Sequence, residues 1–312
     1  MQHTIYALAP SPTFATDDIC FAAGAGGLCR STDGGETWHS ALESLDLPEP
    51  LPATVVVLSP SFAEDRRVLA GVPGGVLRSF DGGASWFATV LPSPPPTIST
   101  LAVSPHFAED GVALAGTLDD GVFRTADRGE RWYPWNFGLL DLHVLALAIS
   151  PAFAKDETVF AGTDSGIFRS TNGGRAWREV PFDPDLAPVV SLAISPAFAQ
   201  DGVIFAGTEA YGLFRSADGG TTWQRGGDDA VRDASVNGII VAPQYPTTRH
   251  LLVVGNALLL SRDDGATWAT IGDDALADAG VMCAAAPSGL AQGTSLIVGL
   301  ASGDVRRITI DQ

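Results

Sequence analysis

The sequence predicts an all-β protein: a seven-bladed β-propeller that fills residues 1–312 as one domain and ends in a three-stranded blade. Three observations carry that prediction. An eight-residue phrase, Ser31-Thr32-Asp33-Gly34-Gly35-Glu36-Thr37-Trp38, returns at 79–86, 125–132, 170–177, 216–223 and 261–268, with tryptophans 48, 46, 45, 46 and 45 residues apart. Such a period marks supersecondary units that bury their apolar faces by stacking on their neighbours. Between the copies, short β-rich runs alternate with turn residues, and no segment has the apolar spacing of a helix. Seven first strands close on a proline, at Pro10, Pro60, Pro105, Pro151, Pro196, Pro243 and Pro287, one more than the tryptophan phrases.

The fourth unit shows the elements in order. A first strand over 144–150 stops at Pro151, and a second over 158–162 turns at Thr163-Asp-Ser-Gly166 into a third over 167–170. The phrase follows, and an outer strand over 176–180 ends before Pro181. Four antiparallel strands repeated radially make a propeller blade. The seventh unit offers strands at 281–286, near 295–300 and near 304–310 without the phrase, so blade seven is expected to pack on blade one with no exchanged strand. Large residues stand two and four places before the prolines, as in Leu8 and Tyr6 or Ile149 and Leu147, with small ones between. That alternation predicts a large-into-small fit near the axis, with Tyr6 as a packing residue.

Composition narrows the function classes. Eighteen basic residues against 36 acidic ones give a net charge of −18, which disfavours nucleic acid and acidic lipid as partners. No apolar stretch is long enough to span a membrane. The N-terminus reads as part of the first unit and not as a signal peptide, so the cytoplasm is the default location, with secretion or the periplasm if a leader has been removed. Cys20, Cys29 and Cys283 allow at most one disulfide, and Cys20 and Cys29 read as small buried hydrophobes. Five scattered histidines and no CxxC pair predict no metal site, and nothing points to a cofactor.

Each fixed position of the phrase has a physical reason. Asp33, Asp81, Asp127, Asn172, Asp218 and Asp263 can accept backbone N–H groups of their own turn, and glycine tolerates positive φ there. Trp38, Trp86, Trp132, Trp177, Trp223 and Trp268 cover the hairpin with apolar surface. Asn172 keeps the acceptor without the charge, which fits a structural turn better than a cation ligand. At these residues the chain resembles the BNR or Asp-box repeat proteins, whose signature is Ser/Thr-x-Asp-x-Gly-x-x-Trp/Phe between the third and fourth strands of a blade. That family includes sialidases, xyloglucan-degrading glycoside hydrolases, the sortilin ectodomain and photosystem II assembly factors, so the resemblance implies a fold and leaves function open. A second phrase, Ser-Pro-x-Phe-Ala-x-Asp at 59–65, 104–110, 150–156 and 195–201, is similar to that of uncharacterised bacterial members. Arg30, Arg78, Arg124, Arg169 and Arg215 precede their boxes at one rotationally related position, with Leu260 in the sixth copy. Sialidase arginines come from differing blade positions, so these five read as links between blades, by salt bridges or stem packing.

A residue repeated six times holds the frame, and chemistry is sought where the copies differ. The second-to-third turns and the links between blades share the face opposite the boxes. They are rich in carboxylates, with Asp119, Asp120, Asp164, Glu209 and Asp304 in turns and Glu43, Asp46, Glu49, Asp141, Asp183, Asp185, Asp228, Asp229, Asp233, Asp273, Asp274 and Asp278 in links. Asp120, Asp164 and Glu209 lie on successive blades, and two close carboxylates would suit glycoside hydrolysis. Trp135, Phe137, His143 and Tyr211 add apolar and aromatic groups that could seat a sugar ring, a peptide or an oligomer contact, although Phe137 and Leu140 can equally fold inward over the blade edge. The expected function is a non-enzymatic binding or assembly scaffold for a protein, peptide or glycan. The alternative is a sialidase-like or xyloglucanase-like glycoside hydrolase using paired carboxylates, and a small ion in the central channel is a third reading. The sialidase Tyr–Glu pair has no convincing counterpart, and the xyloglucanases place their cleft between two propellers where this sequence carries one.

Overall fold

The computed structural model describes residues 3–92 and 94–311, without the side chains of Pro184 and Asp274, so the Asp274 carboxylate lies outside the described part. Seven antiparallel sheets follow one another along the chain; six have four strands in sequential order and the seventh has three. Blade four runs Val144–Ile149, Val159–Thr163, Ile167–Ser170 and Arg178–Glu179. Blade seven runs Val281–Ala285, Ser295–Leu300 and Val305–Thr309. Every second strand of blades one to five is buried throughout, which is why these runs are nearly continuous in Ala, Val, Ile, Leu and Phe.

Glycine sets how closely blades approach. A Cβ on Gly116 would lie 2.7 Å from Val144 of the next blade, and one on Gly299 would lie 2.7 Å from Ile5. The second contact is part of the closure of the ring. Thr4 Oγ1 also donates to Ala301 O at 3.1 Å, and Ile297 of blade seven packs with Phe14 and Cys20 of blade one. Among the described residues the ring therefore closes by packing and side-chain hydrogen bonds, with no strand exchanged between blades seven and one.

Two expectations are corrected. No helix is expected, yet within the second phrase Phe62–Asp65, Phe107–Asp110, Phe153–Asp156 and Phe198–Asp201 each form one helical turn, as does Phe14–Asp17. A single turn buries one side chain, here the Phe, so it leaves no helical periodicity to read. Its bonds are local: Ser59 Oγ donates to Asp65 at 2.6 Å, and Asp65 accepts the N–H of Arg67 at 3.0 Å. The Arg66 carbonyl then accepts the N–H of Gly82 at 2.8 Å, which ties the helical turn to the Asp-box turn on one face.

The helical turn at Phe14–Asp17 also shows that the first blade's closing proline is Pro12, within Ser11-Pro12-Thr13-Phe14, and not Pro10. The true register pairs Ala9 with Phe21 as Ala148 pairs with Phe160. Tyr6 then falls where the first strand bulges, between Ile5 and Ala7, and it is 43% exposed instead of packed.

The three cysteines are free thiols. Cys29 lies opposite Ala22 and Cys20 opposite Ser31, so the two do not face each other. Burial pushes the Cys20 and Cys283 thiols up to about 12.

Candidate functional site

The repeated residues are engaged in structure. In the second box, Ser79 Oγ donates to Asp81 Oδ1 at 2.8 Å and accepts the N–H of Gly83 at 2.8 Å. Asp81 Oδ1 accepts the N–H groups of Ala84 at 3.0 Å and Ser85 at 2.9 Å. Burial pushes this carboxyl up, yet the bonds from Ser85, Ser79 and Ala84 outweigh it and hold the group down at about 2. Asp218, with the Thr222 hydroxyl as its strongest donor, is likewise held at about 2, and the Thr37 hydroxyl leads the same effect on Asp33. Asp127 and Asp263 are also lowered. In the fourth box, Asn172 accepts the Ala176 N–H at 2.9 Å, and Ala176 stands where Thr37, Ser85, Thr222 and Thr267 carry a hydroxyl donor and the third box has Arg131. Charge and donor are lost together.

The tryptophans and arginines join neighbouring blades. Trp86 Nε1 donates to Ala41 O at 2.7 Å, and Trp177 Nε1 to Trp135 O at 2.8 Å, each in the blade before. Trp38 and Trp268 instead bond within their own turns, to Gly35 O and Gly265 O. Trp223 meets Phe182 edge-on at 5.7 Å, and Trp132 is buried. Arg169 Nη1 donates to Gly219 O at 2.9 Å in the next box, and Arg215 pairs with Asp264 at 3.1 Å. Arg78 lies 3.3 Å from Glu130. Arg307 of blade seven was not legible as a sixth member because no box follows it, but it sits opposite Ile297 as Arg30 sits opposite Phe21. A Cβ on Gly34, in the first box, would lie 3.1 Å from its guanidinium.

The link from blade three to blade four holds the most exposed large apolar groups among the described residues. The chain leaves the outer strand at Trp135, whose half-buried ring is flanked by the guanidinium groups of Arg124 at 5.1 Å and Arg175 at 5.6 Å. Asn136 then donates to Asp120 O at 2.8 Å and accepts the Val122 N–H at 2.8 Å. Phe137 O accepts the N–H of Trp177 at 2.8 Å, which places this residue at the outer rim beside blade four. Leu142 O accepts the N–H of Gly121 at 3.0 Å as the link returns over the hairpin turns. Leu139 is buried, whereas Phe137 and Leu140 are 81% and 79% exposed. These two do not fold inward over the blade edge. Leu142 is exposed as well, and only its place in Leu139-Leu140-Asp141-Leu142 hinted at it.

His143 Nδ1 is in contact with Asp164 Oδ2, and both side chains are partly exposed. Asp141 accepts the His143 N–H at 3.0 Å and the Ser165 N–H at 2.8 Å. Burial pushes the Asp141 carboxyl up, but these bonds leave it lowered overall. Link and hairpin of blade four are thus clamped together. Asp120 is half-buried through its turn, with its N–H bonded to Thr117 Oγ1 at 3.0 Å. Glu209 and Tyr211 are exposed on the blade-five turn, where Arg225 Nε donates to Tyr211 O at 3.0 Å. Asp120, Asp164 and Glu209 lie on the second-to-third turns of three successive blades. Among the described residues no group of three or more His, Cys, Asp or Glu side chains is arranged to hold a metal ion, and no helix is long and apolar enough to cross a membrane.

The BNR/Asp-box repeat pattern matches residues 30–40, the first box. No curated protein matches the sequence. Among solved structures, the GH74 xyloglucanase of Xanthomonas campestris superposes with a TM-score of 0.76 at 17% identity, over 99% of this chain and 55% of its own length. The chain thus spans about half of that enzyme. YCF48 bound to D1 peptide gives a TM-score of 0.71 at 18% identity, covering 99% of this chain and 93% of its own. YCF48 from Cyanidioschyzon merolae gives 0.68 at 15%, with 99% and 96% covered. These likenesses bear on fold. With six boxes, seven radial sheets and the arginine and tryptophan links between them, the chain is a seven-bladed β-propeller built on BNR/Asp-box repeats.

Proposed function

We propose that this propeller is a non-enzymatic binding or assembly scaffold that seats a peptide or protein segment at the rim of the variable face, on Phe137, Leu140 and Leu142. The observation that carries the reading is the exposure of Phe137 and Leu140 on backbone fixed by the Asn136, Trp177 and Gly121 bonds. Rigid backbone presenting uncovered aromatic and aliphatic groups loses little entropy on binding, and exposed apolar clusters mark contact sites. The carboxylates around this segment, Asp120, Asp141 and Asp164, would then set orientation and partner choice at the rim. The likeness to YCF48, a propeller of nearly this length seen with a bound peptide, supports a peptide as the class of partner.

The test is a peptide array and a glycan array probed with the wild-type chain and with Phe137→Ser/Leu140→Ser. Covering either side chain contributes about 1.5–3 kcal/mol, so the double variant is expected to lose tenfold or more of its peptide binding with an unchanged melting temperature. A panel of glycosides run beside it separates the hydrolase reading, which needs Asp120, Asp164 and Glu209 to work in pairs. No turnover is expected. Turnover that disappears in Asp164→Asn or Glu209→Gln would replace the scaffold reading.

A further inference from the structure

Among the described residues, blade seven has no outer strand where the other six blades carry one, so its third strand presents an edge. In those six, the residue after the tryptophan pairs with a fixed third-strand position: His39 with Arg30, Phe87 with Arg78, Tyr133 with Arg124, Arg178 with Arg169, Gln224 with Arg215 and Ala269 with Leu260. Arg307 occupies that position in blade seven. In blade four the third strand is buried except at Arg169, but Val305–Thr309 is exposed at Arg306, Arg307 and Thr309 and half-exposed at Val305 and Ile308.

The backbone polarity of this edge follows from its inner bonds. Ile310 donates to Thr294 O at 2.9 Å and accepts from Gly293 at 2.8 Å, so its polar groups face the second strand. By the alternation of an antiparallel ladder, Arg306 and Ile308 also face inward, and Val305, Arg307 and Thr309 turn their N–H and C=O groups outward. A cleft of ≈ 550 Å³ runs beside this edge, with Leu260, Trp268, Ile271 and Ile308 in its lining. It lies where a blade-seven tryptophan would rest on blade six, just as Trp38 of blade one packs with Ile297 and Val305 of blade seven. Leu260, where the other blades have arginine to reach the next box, gives the cleft an apolar wall.

Charge narrows the occupant. Arg306 and Arg307 are exposed cations on a chain of net charge −18, and among the described residues neither forms an ion pair or a side-chain hydrogen bond. The outer-strand residue opposite Arg306 would take the place that Glu179 takes opposite Phe168 in blade four. Side chains directly opposite in a ladder share a face, so a carboxylate there meets the Arg306 guanidinium.

We propose that this edge is a β-strand addition site, which takes an extended segment of another polypeptide antiparallel to Val305–Thr309, led by a large aromatic residue and carrying a carboxylate opposite Arg306. The outward amides supply affinity, the cleft receives the ring, and the arginine selects for acidic segments. The site is independent of the variable-face rim.

The probe is a fluorescein-labelled peptide with the sequence of residues 176–182, which carries Trp177 and Glu179, titrated against the wild-type chain by anisotropy. Saturable binding below millimolar peptide is expected, with slowed hydrogen exchange at the Arg307 and Thr309 amides. Replacing the peptide's tryptophan by Ala, or N-methylating its residue opposite Arg307, is expected to weaken binding at least tenfold, and Arg306→Glu in the protein several-fold. The N-methyl peptide keeps every side chain and leaves the protein untouched, so its loss cannot come from misfolding. The proposal is overturned by absence of saturation, by equal binding of the N-methyl peptide, or by protection elsewhere. It is also overturned if the protein alone sediments as a dimer with these amides already protected, since a second copy would then fill the edge.

Discussion

Trp86→Ala is expected to destabilise the protein by about 3–5 kcal/mol, the cost of removing a large buried aromatic from a packed core. Trp86 is 5% exposed and packs in the cluster that contains Phe21, Phe62 and Leu77, which spans blades one and two. Its Nε1 bond to Ala41 O crosses 45 residues of sequence, and the truncation would leave that carbonyl without its partner. Trp223→Ala should cost less, because Trp223 is only partly buried and its Nε1 has no partner among the described residues. Guanidinium unfolding of both variants checks the order. Hydrogen exchange should show the Trp86 loss concentrated in the first two blades, since stacked repeats contact only their neighbours.

Ser79→Ala is the second large effect, at about 1–3 kcal/mol, for a different reason. The Ser79 hydroxyl is buried and serves Gly83 N–H and the Asp81 carboxylate at once, so its removal leaves a buried donor unsatisfied. Ser85→Ala removes a bond to the same carboxylate from an exposed position and should cost a fraction of that. Acid reports on the same bonds. Asp81 and Asp218 are held down at about 2 in the folded chain, below the unfolded value of about 3.9, so their contribution is complete above pH 4 and is lost as pH falls toward 2. Melting temperatures are expected to fall across that window, and less steeply in Asp81→Asn, which copies the uncharged acceptor of Asn172.

Which parts of this were legible follows from what leaves a periodic trace. The boxes did, because six turns need the same acceptor, the same glycine and the same tryptophan, and blade seven was countable from its strands although it lacks the box. The helical turns did not, because one buried Phe per turn has no period. The N-terminal register was misplaced because Pro10 and Pro12 both follow small residues, and only the pairing of Ala9 with Phe21 separates them. The arginine links were legible as structure, but Arg307 was hidden by the missing box.

The candidate rim was legible only as a stretch unlike its counterparts. Leu139 is buried and Leu140 exposed, and both are leucines in adjacent positions. Trp135 is held between two guanidinium groups, one from Arg124 of its own blade and one from Arg175 within the next box, a meeting that depends on blade geometry. His143 and Asp164 are 21 residues apart and meet only because link and hairpin share one face.

The claim that the box face is frame and the opposite rim is function is tested most directly by comparing two exposed phenylalanines. Phe137 stands on the rim, and Phe80 stands in the second box, its ring tilted against that of Phe87 at 5.7 Å. Phe137→Ser and Phe80→Ser, matched for folded fraction by their melts, are probed on the same peptide array as the wild type. The account predicts that Phe137→Ser loses tenfold or more of the signal while Phe80→Ser keeps it, and loss in Phe80→Ser with retention in Phe137→Ser would contradict it.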